Sequence, residues 1–183
     1  TVNSLILGGY ITPMMAEQLA LLEKTQGRDV AKGFTDGFAS MMALAVTLPE
    51  LGWNLDFFLR LITGASWMGL SGYMFDRSIP LFLRALSLFH VGLPLILLWM
   101  VWRLGYDKPA LIAQIFVAMI VLPLSYFFGG PRDNINWVYG FGERPQTAVP
   151  ALWFLAFLML MFPLAIYLPT HFVLDKFFGL PTE

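Results

Sequence analysis

Two histidines are the only side chains of this 183-residue chain whose unperturbed titration falls near neutrality. One of them, His90, lies inside an uncharged run bounded by Arg84 and Arg103, R-A-L-S-L-F-H-V-G-L-P-L-I-L-L-W-M-V-W-R. Pro94 has no N–H, so as a helix this run leaves the carbonyl of residue 90 without its usual partner. Ser87, His90 and Pro94 stand at i, i+3 and i+7, on one helix face. An imidazole, a freed carbonyl and a hydroxyl are therefore expected together inside the bilayer, where ionisable groups mark functional sites. His90 and Ser87 are the candidate cofactor-binding residues. The chemistry open to them is ligation of a haem or another metal-centred pigment, proton transfer, or hydrogen bonding to a quinone or lipid headgroup. The competing expectation is structural, a neutral histidine bonded to a neighbouring helix.

The second histidine, His171 in L-P-T-H-F-V-L-D, closes the last apolar stretch and is expected as an interfacial anchor. The two imidazoles fall on the order of 20 Å apart in depth, too far to share an ion. No H-E-x-x-H or carboxylate-rich helix supplies a metal site, and there is no P-loop, G-x-S-x-G or nucleotide fingerprint. The chain has no cysteine, which removes disulfides, thiolate ligands and thiol nucleophiles. Catalytic residues and metal ligands are therefore assigned to none, and the balance lies against an enzyme. Glu17 and Gln18 form another buried polar point, suited to a helix–helix hydrogen bond or, alternatively, a proton path.

The richest polar stretch away from the helices is G-G-P-R-D-N-I-N-W-V-Y-G-F-G-E-R-P-Q-T-A-V-P, residues 129–150. Its glycines and prolines exclude a regular helix. Arg132, Asp133, Asn134, Asn136, Trp137, Tyr139, Glu143 and Arg144 make it the candidate partner or ligand loop, structured over 130–149. It is expected to pack on residues 54–79, with its charges paired to Asp56, Arg60, Asp76 and Arg77. Asp56 and Arg60, one turn apart, can also pair with each other.

The elements that position these residues follow from composition. The chain is 58% hydrophobic and only 13% charged, where a soluble domain carries about 25% charge. So apolar a chain cannot cover itself with polar groups in water, and the class is an all-α polytopic membrane bundle. With a net charge of −1 it offers no basic face to nucleic acid. About five transmembrane helices are predicted, near 5–22, 37–53, 85–102, 109–129 and 150–170, in one domain. Residues 54–79 are expected as an interfacial or re-entrant segment, since 54–64 is amphipathic and the following A-S-W-M-G-L-S-G-Y-M-F is too short and too rich in Gly and Ser for a crossing. Gly33 and Gly37 form a small-x-x-x-small pair that permits close helix approach. Gly105 is placed to end one helix and Pro109 to start the next, as antiparallel neighbours. All four lysines fall on one side of this topology, which puts the N-terminus outside and the C-terminus in the cytoplasm of a cell inner membrane.

The motifs N-I-N-W-V-Y-G with a following R-P-Q, S-L-F-H, R-L-G-Y-D and L-P-T-H resemble those of bacterial polytopic inner-membrane proteins over roughly residues 45–175. The resemblance implies a membrane-embedded helical fold and carries over no activity and no site residue. The function expected from the residues is a non-catalytic subunit, accessory to or assembling a larger membrane complex, that holds lipid or a hydrophobic cofactor. Its expected partners are the lipid bilayer and other membrane subunits. The alternatives are a small integral-membrane enzyme acting on a lipid-like substrate at the outer interface, and a small transporter.

Overall fold

A computed structural model describes residues 20–21, 24–26, 28–65, 67–141 and 145–179. The expected span 5–22, with Glu17 and Gln18, lies almost wholly outside the described residues, as do Glu143 and Arg144. The rest is helical: α1 (Arg28–Thr63), α2 (Leu81–Leu86), α3 (Phe89–Leu104), α4 (Ala110–Phe128), α5 (Ala151–Met161) and α6 (Leu168–Phe178). A π-helical turn, Phe162–Tyr167, joins α5 to α6, and short 3₁₀ turns occupy Gly72–Phe75 and Ile135–Trp137.

Three stretches are long and apolar enough to cross a membrane: Leu81–Leu104, Ala110–Phe128 and Ala151–Phe178. Their most apolar windows are only 11%, 17% and 22% buried within the protein. Trp99, Phe116, Phe128, Trp153 and Phe172 instead point outward. A surface this apolar and this continuous is stable only against lipid. The chain is an all-α, membrane-embedded bundle.

α1 is the element around which the others close. Between Ala39 and Thr47 it is buried on most of its circumference, and its small residues Ala39, Ser40, Ala43 and Ala45 let neighbours approach closely. α3 turns Pro94, Leu97 and Val101 toward it, spacings of three and four that form one stripe. α4 presents Ala110, Gln114, Ala118 and Leu122 at four-residue steps. A second cluster, Leu122, Val138, Phe154, Leu155 and Leu158, joins α4 and α5 to the loop after α4.

α1 runs on through Thr63, so residues 54–63 of the expected interfacial segment are the end of this 36-residue helix. Only residues beyond it form the loop and 3₁₀ turn. The expected helix 85–102 begins earlier, at Leu81, and is interrupted at Ser87–Leu88. Leu88 N–H donates to Ala85 O and His90 N–H to Ser87 O, three residues back rather than four.

At one end of the bundle the backbone N–H of Asp107 donates to Ser40 Oγ at 2.9 Å, and that of Tyr106 to Phe178 O at 2.9 Å. Lys108 and Asp175 pair at 3.0 Å. Gly105 makes the turn with φ +89°, a value glycine adopts without strain, and α3 and α4 are joined by a short turn as expected. A Cβ on Gly37 would stand 3.1 Å from Asp107 Oδ2, so close approach here is to a loop rather than to a helix. Burial, then the nearby Asp36 carboxylate, raises the Asp107 carboxyl above its ordinary range. The opposite end holds the loops over 67–80 and 129–141.

Candidate functional site

The imidazole of His90 faces α1. Its Nδ1 lies 2.6 Å from Glu50 Oε2, and both side chains are largely buried, at 14% and 12% exposure. The indole of Trp53 stacks on the ring at 4.6 Å between centroids, with Phe89 on it at 4.0 Å. The carbonyl of His90, which Pro94 frees, accepts a 2.8 Å hydrogen bond from Asn54 Nδ2. The same amide nitrogen donates to Glu50 O at 2.8 Å, so both its hydrogens are used. Glu50, Trp53 and Asn54 stand at i, i+3 and i+4, the spacing that puts three side chains on one face of α1. A carboxylate bonded to one imidazole nitrogen fixes the ring and leaves the other nitrogen to act outward.

What lies beside it is a partly open cavity of about 220 Å³ lined by α1, α3, α4 and the π turn. Glu50 and His90 are in its wall, with Gln114, Tyr167, Asn136 and Trp137. Most of the remaining wall is aliphatic or aromatic, from residues such as Val46, Leu93, Val117 and Phe162. Gln114 is 4% exposed, and its one side-chain hydrogen bond among the described residues is a long one, Nε2 to the Tyr167 hydroxyl at 3.4 Å. Tyr167 reaches it from the π turn. Pro163 cannot donate back to the preceding turn, and the backbone widens so that Leu168 N–H reaches Pro163 O, five residues back.

Two polar loops form the end of the bundle nearest the cavity. Asp56, fully buried, accepts from Met68 N–H (2.7 Å), Gly69 N–H (3.2 Å), Ser71 N–H (2.9 Å) and Ser71 Oγ (2.7 Å). Burial would push its carboxyl up, but these hydrogen bonds outweigh it and hold the group at about 2 against an ordinary 3.8. The anchored loop brings Leu70 onto the cavity wall. In the other loop, Asn134 donates Nδ2–H to Gly140 O at 2.8 Å and accepts Tyr139 N–H at 2.9 Å, so one side chain closes the turn. Asn134 and Asn136 take positive φ, +41° and +55°, which asparagine tolerates best among residues with a Cβ. Asn136 Nδ2–H donates to Ser125 Oγ at 2.8 Å, and the Tyr139 hydroxyl to Tyr126 O at 2.7 Å with the two rings stacked.

The structure thus brings His90, Asn136 and Trp137 to one cavity but leaves Ser87 out of its wall. The 3₁₀ step between α2 and α3 winds the chain at three residues per turn, which takes Ser87 off the face of His90 and Pro94. Ser87 instead lies on the side of the Tyr73 hydroxyl, whose titration is raised by burial. The 130–141 loop is built as an ordered turn, yet its hydrogen bonds and ring contacts run to α4 and α5 rather than to 54–79. Among the described residues no ion pair joins Arg132 or Asp133 to Asp56, Arg60, Asp76 or Arg77. Asp56 is taken by the 68–71 amides, and the Arg60 guanidinium lies over the Phe75 ring at 4.9 Å. Arg84 donates to Ile79 O and Met74 O, closing its own loop. His171 Nδ1 is 2.7 Å from the buried Tyr106 hydroxyl, at the other end of the bundle.

Sequence reasoning missed Glu50, Trp53, Asn54, Gln114 and Tyr167. The signals were present: Glu50, Trp53 and Asn54 at the spacing of one helix face, and one amide in the uncharged run between Lys108 and Arg132. Comparison with known protein families, curated proteins and solved structures finds no match for this chain.

Proposed function

We propose that this protein is a non-catalytic membrane subunit that holds a lipid or hydrophobic cofactor in the cavity beside Glu50 and His90. The observation that carries the reading is an apolar cavity with a preformed carboxylate–imidazole pair in its wall. Apolar walls with a few convergent polar groups are the usual make-up of a small-molecule site. A pair this buried is costly unless something is gained from it. Packing alone would be served by an apolar residue at position 90.

A second reading, acid–base chemistry on a lipid-like substrate, is favoured by the 2.6 Å Glu50–His90 contact, since a carboxylate-oriented imidazole is the common form of a general base. The two readings separate on purification from native membranes into lipid nanodiscs. Mass spectrometry and an absorption spectrum are expected to find one hydrophobic species per chain, absent from His90→Phe, together with a stoichiometric membrane partner. Wild-type protein carrying nothing would overturn the binding reading, and turnover of an added lipid by the isolated chain would favour the enzyme.

A further inference from the structure

The polar groups of the cavity restrict what it can hold, and the following rests on its being a ligand site. No lysine or arginine is in the wall, so a phosphate or carboxylate headgroup would enter without a counter-charge. Between apolar helices the Glu50–His90 pair is least costly without net charge, and such a pair holds one proton between Nδ1 and Glu50 Oε2 and a second on Nε2, whichever partner carries the first. Nε2–H is left to donate elsewhere. On another helix of the lining Gln114, more than nine-tenths buried, has its carbonyl and one amide hydrogen without a partner among the described residues, and the Tyr167 hydroxyl accepts from it while its own proton is free. Two sets of donors therefore stand in parts of the wall built by different helices, with the rings of Trp53, Trp137 and Phe162 also in the lining. A space of about 220 Å³ corresponds to roughly seven waters at about 30 Å³ each. That is room for one substituted six-membered ring, while a porphyrin exceeds the drug-sized ligands that already need about 300 Å³.

We infer that the cavity binds the head of an alkyl- or isoprenyl-tailed quinone, with His90 donating to one carbonyl and Gln114 with Tyr167 to the other. The same carbonyl chemistry is available from the esters of a diacylglycerol, but those are not held in a plane, and the aromatic walls favour a flat ring.

The test uses the full chain in phosphatidylcholine nanodiscs with Trp67, Trp99, Trp102 and Trp153 changed to phenylalanine. These four are exposed to the surroundings, so Trp53 and Trp137 remain to report on the cavity. Titration with a decyl-substituted benzoquinone is expected to quench them saturably at one site. His90→Phe should weaken this about tenfold, and Gln114→Leu by a comparable factor, as expected for loss of a hydrogen bond to a buried carbonyl. His171→Phe should leave it unchanged. Should His90→Phe fail to fold, Gln114→Leu and the competitors decide. Decylbenzene, which has no carbonyl, should not displace the quinone. Displacement by decylbenzene or by dioctanoylglycerol at matched concentration would overturn the quinone assignment while leaving the ligand site standing. No saturable quenching, in protein that still carries a hydrophobic species from the membrane, would have the same meaning. No quenching and no carried species would remove both readings.

Discussion

Pro94 and Asn54 are forty residues apart in sequence and act on the same atom. Proline deletes the helical donor to His90 O, and the asparagine amide replaces it from another helix. Asn54→Leu should therefore destabilise the bundle by about 1–2 kcal/mol, the cost of a buried carbonyl left unpaired. In a Pro94→Ala background the helix can satisfy that carbonyl itself, so the same change should cost clearly less. A double-mutant cycle by reversible detergent unfolding measures this, and strict additivity would mean that the two residues are not coupled through the carbonyl. At the same scale, Glu50→Gln keeps the shape of the pair but removes the carboxyl group that orients the imidazole. It should loosen any cavity ligand several-fold while changing stability little, read from ligand retention beside a melting curve.

At the level of elements, two loops are each held by one side chain. Asp56 takes four hydrogen bonds from the 68–71 segment, so Asp56→Ala should cost about 3 kcal/mol and free that segment. Hydrogen exchange at residues 68–71 is the measurement, and slow exchange in the variant would argue against the anchor. The pH dependence follows from the same group. Its carboxyl is depressed from 3.8 to about 2 in the folded protein. The anchoring is therefore complete above pH ~4 and lost as pH falls through about 2. Exchange at 68–71 should accelerate over that window in the wild type and be insensitive to it in Asp56→Asn. Asn134 serves the 130–141 loop in the same way. Asn134→Ala removes two hydrogen bonds and the residue best suited to φ +41°, and is expected to expose Trp137 and red-shift its fluorescence.

At the scale of the whole molecule, the outward faces of three helices are apolar and the polar side chains are gathered inside or at the two ends. α4 separates Lys108 from Arg132 by nineteen helical residues, about 28 Å at 1.5 Å per residue. Single cysteines placed at these two exposed positions, in a chain that has none of its own, should react with an impermeant maleimide from opposite faces of a sealed vesicle. Labelling of both from the same face would mean that α4 does not cross.

The sequence by itself determined the medium, the helices and the freed carbonyl. Each is a property of a contiguous run: eighteen uncharged residues between arginines, a proline four places after a histidine, a glycine and a proline bracketing a turn. It also marked His90 as the residue to follow. Only the tertiary structure decided what His90 meets, because Glu50, Trp53 and Asn54 belong to another helix and Gln114 to a third. The same holds for Asp56. One turn from Arg60 along the helix, it reads as half of an ion pair, yet four loop donors within hydrogen-bond reach outcompete a single solvated guanidinium. Ser87 was misplaced for a local reason, since a 3₁₀ step of a few residues rotates a face without leaving a mark in the hydrophobic pattern. The direction of the 130–141 loop followed from which surface offered it a hydroxyl and a ring to stack on, Ser125 and Tyr126. That choice is made in three dimensions, between surfaces that are equally polar when read along the chain.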